Sequence, residues 1–168
     1  MKNTLRFVLM MSSIVTLASA SSDVQKPFDQ IKSLVGTWEG KNSEGQIVKV
    51  VFRSTAGGSA IMSEIQGDGP ENMITMFHLD GPDRLLLTHY CGAGNQPRMQ
   101  ASPSPDGKTI TFNFLDGTNL ESTPMGHMQQ LIISMPDANH HLEEWNFDGH
   151  GSQHKEVFDL HRTNEVHP

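Results

Sequence analysis

Asp-Gly recurs at Asp68-Gly69, Asp80-Gly81, Asp106-Gly107, Asp116-Gly117 and Asp148-Gly149, and the pairs fall between short segments of alternating apolar residues. Such pairs accept the positive φ that tight hairpin turns demand, so a chain punctuated this way folds into antiparallel neighbours. Glu44-Gly45 and Gly57-Gly58 fill further gaps in the same rhythm. The intervening segments 38–41, 47–53, 60–66, 72–79, 84–91, 96–102, 109–115, 127–135, 141–147 and 154–162 carry the strand period. One stretch departs from it. Phe28, Ile31, Leu34 and Val35 recur at helical spacing between Pro27 and Gly36, which predicts a single short helix over 27–35. The fold class that follows is all-β: an antiparallel up-and-down β-barrel of about ten strands with a short N-terminal helix, because closure removes the edges of so long a meander. The longest connection without a strand signal is 116–126, polar and containing Pro124, and it reads either as a lid or as a plain loop.

Residues 1–20 have the layout of an export signal. Lys2 and Arg6 give a positive start, Phe7 to Leu17 form a mostly apolar core, and Ala18-Ser19-Ala20 supplies a small-x-small cleavage site. The core is too short for a membrane span, and no later segment is apolar for long enough to be one, so no integral membrane segment is expected after cleavage. Cleavage leaves residues 21–168 as one β domain, periplasmic or secreted. The leader holds no acidic group, so losing its Lys2 and Arg6 takes the formal charge from −7 to −9. With the remaining basic residues scattered, no nucleic-acid partner is expected. A single cysteine, Cys91, rules out an internal disulfide, and stability must come from packing and sheet hydrogen bonds. As a free thiol it is either a small buried hydrophobe or a chemically special group.

The hairpin faces carry the functional signal. If Leu79 pairs with Arg84, then Ile74, Met76, His78, Leu85, Leu87, His89 and Cys91 share one face, and Met73, Thr75, Phe77, Leu79, Leu86, Thr88 and Tyr90 share the other. Carried through Gly92-Ala93-Gly94-Asn95 with Cys91 opposite Gln96, the same register brings His89, Cys91, Gln96 and Arg98 together over Met76 and Leu87. A few convergent polar groups on an apolar wall are the usual makeup of a small-molecule pocket. His89, Cys91, Gln96, Arg98, Met76 and Leu87 are therefore the candidate ligand-binding residues, Arg98 pairing with a carboxylate or similar acceptor. The competing reading puts this face outside and Phe77, Tyr90 and Met99 inside, since one residue of slip in either loop exchanges the faces.

The second half has its own cluster, with His127 leading Met128, Leu131, Ile132 and Ile133, and His140-His141 opening Leu142-Glu143-Glu144-Trp145-Asn146-Phe147. Glu144, were it inward, would orient a histidine or bind a cationic group. Seven methionines after the leader offer a soft, adaptable lining if several point inward. Nine histidines invite a metal, but none shows the compact spacing of a metal motif, and the adjacent His140 and His141 must point to opposite faces of a strand. A set drawn from separate strands, such as His78, His89 and His127, is geometrically possible; no metal ligand is assigned. Cys91 and His89, two apart on one strand, lie about 7 Å apart by the strand rise and are poorly placed as a nucleophile and base.

Gly36-Thr37-Trp38, opening the first strand behind a short helix and ahead of about ten hairpin-linked strands, resembles the calycin superfamily of lipocalins and fatty-acid-binding proteins. That resemblance implies a barrel whose tryptophan closes the floor, with Arg162 from the last strand packed over Trp38. Within the superfamily Gly36-Thr37-Trp38-Glu39-Gly40 resembles the nitrobindin-type barrels, which implies a haem-binding histidine near the start of the final strand, where His154 stands. The stretch Leu85-Leu86-Leu87-Thr88-His89-Tyr90-Cys91 with Gly94-Asn95-Gln96-Pro97-Arg98-Met99 is more similar still to a group of exported bacterial lipocalin-like proteins. This last likeness implies a fold and a compartment and carries no activity. The expected function is binding of a small, partly apolar molecule inside the barrel, with no cofactor. The alternatives are an enzyme using His89 as acid or base and a haem- or metal-binding barrel using a histidine such as His154.

Overall fold

The last strand returns to the first, Trp38 opposite Arg162, and every other strand pairs antiparallel with its chain neighbours, so the sheet closes into a ten-strand barrel. The computed structural model describes residues 24–66, 72–120, 126–149 and 151–163. The expected leader (1–20), the Asp68-Gly69 turn and Pro124 lie outside the described residues. In chain order the elements are α1 (Gln25–Ser33), β1 (Gly36–Lys41), β2 (Ile47–Thr55), a 3-10 turn (Ala56–Gly58), β3 (Ala60–Gln66), β4 (Met73–Asp80), β5 (Arg84–Tyr90), β6 (Gln96–Pro103), β7 (Thr109–Thr118), β8 (His127–Asp137), β9 (His140–Gly149) and β10 (Ser152–Arg162). The all-β architecture is the one read from the turn rhythm, and the single leading helix is the one read from helical spacing, starting at Gln25 and ending at Ser33 where the spacing predicts 27–35. No helix among the described residues is long and apolar enough to cross a membrane.

Inward residues follow the strand period. Val50 and Phe52, Ile61 and Ile65, Leu85 and Leu87, Ile110 and Phe112, and Leu131 and Ile133 are all buried in one cluster. α1 closes one end of it. Its buried Phe28 and Ile31, followed by Leu34, lie on one helix face and join the same core. Trp38 Nε1 donates to the Leu34 carbonyl at 2.7 Å, and the Arg162 guanidinium lies 4.2 Å from the Trp38 ring centre. Arg162 also donates to the carbonyls of Ser33 (2.8 Å) and Val35 (2.9 Å), satisfying groups at the C-terminal end of α1, and to that of Ala138 (3.3 Å) in the β8–β9 turn. The plug implied by the Trp38–Arg162 resemblance is thus present. Gly40 is dictated by closure, because a Cβ there would stand 1.7 Å from the Asp159 carbonyl oxygen of β10.

Two registers differ from the expected ones by a single residue. Asp80, not Leu79, pairs with Arg84, which buries Phe77 with Leu87 and Thr75 with His89, and the two also meet as an exposed ion pair across Gly81-Pro82-Asp83. Cys91 bonds Asn95, not Gln96, through a backbone contact of 3.1 Å, and Leu87 pairs with Met99. Each shift turns one strand over relative to its neighbour. The expected loop 116–126 is also shorter than predicted: Asp116-Gly117 lies inside β7, paired with Arg98 and Pro97, and a bulge leaves Leu115 without a partner on β6.

Candidate functional site

His89 faces into the barrel with Thr75, Phe77 and Leu87, the inner face that β4 and β5 share after the register correction. Its Nδ1 is 2.9 Å from Thr75 Oγ1, and its ring packs 4.7 Å from that of Trp145 on β9, tilted by 43°. The side chain is fully buried, and Nε2 has no protein partner. Burial pushes its pKa down from the ordinary imidazole value to about 4, so the ring is neutral at physiological pH. An unsatisfied buried nitrogen costs about 1–3 kcal/mol, which makes a group kept in this state a pointer to something it meets in use.

The other expected site residues part company. Leu87 is inward beside His89. Cys91 sits in the β5–β6 turn, where its Sγ accepts from Ala93 N–H at 3.5 Å and burial pushes the thiol pKa up, away from nucleophilic use. Met76 and Arg98 each pair with Thr88, on the outer side of the wall. Arg98 forms a two-point ion pair with Asp116 there, and the guanidinium holds that carboxyl below its ordinary value. Gln96, two residues from Arg98 on the same side, accepts from Thr118 Oγ1 at 2.5 Å and Asn119 at 3.2 Å. The structure therefore brings His89 and Leu87 together and separates them from Met76, Gln96 and Arg98. Whatever an interior molecule meets beside His89, it is not Arg98.

What the sequence reading lacked lies on β9 and β10. His141, Glu143 and Trp145 alternate inward, and Glu143 accepts from Trp145 Nε1 at 3.0 Å while lying 3.2 Å from His141 Nε2. His141 in turn sets its ring edge-on to Trp38, 4.3 Å away. The inward carboxylate is Glu143; Glu144 faces out and binds Lys155 at 3.0 Å, which lowers the Glu144 pKa. Glu156 pairs with Trp145 across β9 and β10, and its Oε1 is buried without a protein partner. His89 thus packs on the Trp145 ring and Glu156 stands opposite Trp145 across the strands, each offering an unpaired polar atom. Alternation in His141-x-Glu143-x-Trp145 was the available signal for the first set; Glu156 needed the β9–β10 register.

The half of the barrel remote from α1 is loosely walled. β7 and β8 pair only from Thr109 opposite Ser134 to Asn113 opposite Gln130. Beyond that rung each strand carries a bulge, at Leu115 and at Gln129, and the Phe114 and His127 rings meet 4.4 Å apart across the seam. A cleft of about 740 Å³ lies there, lined by Phe114, Gln129, Phe147, His154 and a rim of amides, with Lys155 beside them. Haem does not suit this lining. His154 reaches the cleft, but Asn113, Gln129, Gln130, Asn146 and Asp148 dominate it, and Phe114 and Phe147 alone give too little apolar wall for a macrocycle.

No protein-family model matches the sequence, and no curated protein matches it. Among solved structures it is similar to the crystal structure of Rv2717c from M. tuberculosis, with a TM-score of 0.53 at 14% identity over 82% of this chain and 97% of that one. At that identity the likeness speaks for the fold: a closed barrel of antiparallel strands.

Proposed function

We propose that this is an exported, lipocalin-like carrier of a small amphipathic molecule, held in the loosely walled half of the barrel with its polar end against His89 and Glu156. The observation that carries the reading is the buried, unpartnered Nε2 of His89. A neutral imidazole on the Trp145 ring and a carboxylate oxygen on the strand residue opposite Trp145 suit a hydroxyl or amine end group. Met73 and Met128, packed against the core, and Phe114 and Phe147 of the cleft suit an aliphatic or aromatic body, because thioether and aromatic side chains adapt to irregular shapes. The β7–β8 seam is the entrance. An acid–base role for His89 is less well matched, since a pKa of about 4 lies far from the operating pH of an efficient catalyst.

The test is native mass spectrometry of the mature protein recovered from the periplasm, with the absorption spectrum recorded alongside. The reading expects a colourless protein that releases one organic molecule on denaturation and loses it in the His89→Leu variant. A Soret band would replace the reading with haem. A wild-type protein that binds the released molecule no better than His89→Leu would remove His89 from the site.

A further inference from the structure

On the outer wall at the plugged end, remote from the seam, three ligand atoms converge. His140 of β9 and His161 of β10 are directly paired across the strands, and their imidazoles stack 4.5 Å apart at 11°. Asp159, two residues before His161 and so on the same face, places Oδ1 2.8 Å from His140 Nε2 and 3.5 Å from His161 Nε2. All three atoms lie within 4.8 Å of one another, and no other such triple occurs among the described residues. From these positions we infer a surface site for a first-row divalent transition ion, zinc or copper, bound by His140 Nε2, His161 Nε2 and an Asp159 carboxylate oxygen.

Ligands of a tetrahedral ion with bonds of about 2.0–2.1 Å stand roughly 3.3 Å apart. The two nitrogen–oxygen separations already bracket that figure, so binding needs rotation of exposed side chains and no backbone movement. The backbone beneath is fixed: Arg162 N–H donates to the Asn139 carbonyl at 3.0 Å, tying the residue after His161 to the residue before His140, and the Arg162 side chain is locked into the plug. Two imidazoles and one carboxylate suit zinc or copper and suit calcium and magnesium poorly, which prefer all-oxygen sites. Water fills the remaining position, or Glu39, which pairs with His161 on β1. The other charges facing the cluster are Lys41, opposite Asp159, Lys49, 3.7 Å from Glu39, and Asp137, opposite His140 on β8. Because the imidazoles must be deprotonated to bind, affinity falls as the solution is made acid.

The experiment is calorimetric titration of chelator-treated mature protein with zinc chloride at neutral and mildly acid pH. Wild type should take up one equivalent, more weakly at the lower pH, and show a raised melting temperature with zinc present. His140→Ala and His161→Ala should each bind at least tenfold more weakly with unchanged circular dichroism, and Asp159→Asn should be weakened as well. His154→Ala and His167→Ala, the latter in the tail outside the described residues, should bind as wild type does. Equal affinity in wild type and His161→Ala, or loss of binding in His154→Ala or His167→Ala instead, would overturn the site. Binding of calcium as tightly as zinc would overturn the assignment of ion class.

Discussion

The two ends of this barrel are built on opposite rules. At the α1 end the buried tryptophan is partnered: Trp38 donates to Leu34, lies under Arg162, and meets the edge of His141. At the other end β7 and β8 part after five rungs, both carry bulges, and His89 and Glu156 keep unpaired polar atoms inside the wall. The first arrangement is packed shut even though Thr37 Oγ1 and His141 Nδ1 are buried there without partners; the second pairs its orphan atoms with a wall that opens at a seam. One end therefore holds the fold and the other is available to a ligand, which is the usual relation between a rigid scaffold and its site.

The comparison can be broken first at the plug. Trp38→Ala should cost about 3–5 kcal/mol of unfolding free energy, the range for emptying a fully packed aromatic site, measured by urea denaturation. A smaller loss would mean that the closed end is no more stabilising than the rest of the wall.

The next largest effect is a dependence on pH that belongs to the open end. His89 is held neutral down to about pH 4 in the folded chain, whereas an unfolded histidine takes up a proton near pH 6.5. The unfolded state binds more protons between those values, so stability rises with pH across that window and is unaffected by His89 above it. The expected loss on acidification from pH 6.5 to 4 is roughly 3 kcal/mol. In His89→Leu that part of the pH profile should flatten. An unchanged slope would place the acid sensitivity elsewhere.

Arg162→Ala should be milder than Trp38→Ala, at about 1–2 kcal/mol for a cation–π contact and hydrogen bonds at a partly exposed position. Arg162→Lys should recover only part of it, because an ammonium cannot stack on the indole while spanning three carbonyls. Smallest of all is Arg98→Ala. Its pair with Asp116 is solvent-exposed, so the urea midpoint should stay where it is at moderate salt.

Most of the fold was legible because strand period and Asp-Gly turns are local signals. β3, for example, occupies the span its alternation predicted. Register was not legible, because three-residue and four-residue turns share the same residues here. In the β4–β5 hairpin the register is the one that buries Thr75 and Phe77 with Leu87 and His89 on one face, a tertiary requirement that the turn residues do not encode. The site inherited that ambiguity. His89 and Leu87 sit on one strand and stayed together, while Met76 and Arg98 changed sides with the register. The opposite faces of His140 and His141 were legible from adjacency, but the meeting of His140 with His161 depended on the β9–β10 pairing.

The central claim is that His89 serves binding and not folding, and one paired measurement on His89→Leu tests it. The molecule released from the wild-type protein is titrated calorimetrically into both proteins, and the unfolding free energy of each ligand-free protein is measured at pH 7. The account predicts at least tenfold weaker binding with ligand-free stability within about 1 kcal/mol of wild type, since a similar-sized apolar side chain removes an unsatisfied nitrogen. Unchanged binding together with a large loss of stability would contradict it and make His89 a core residue.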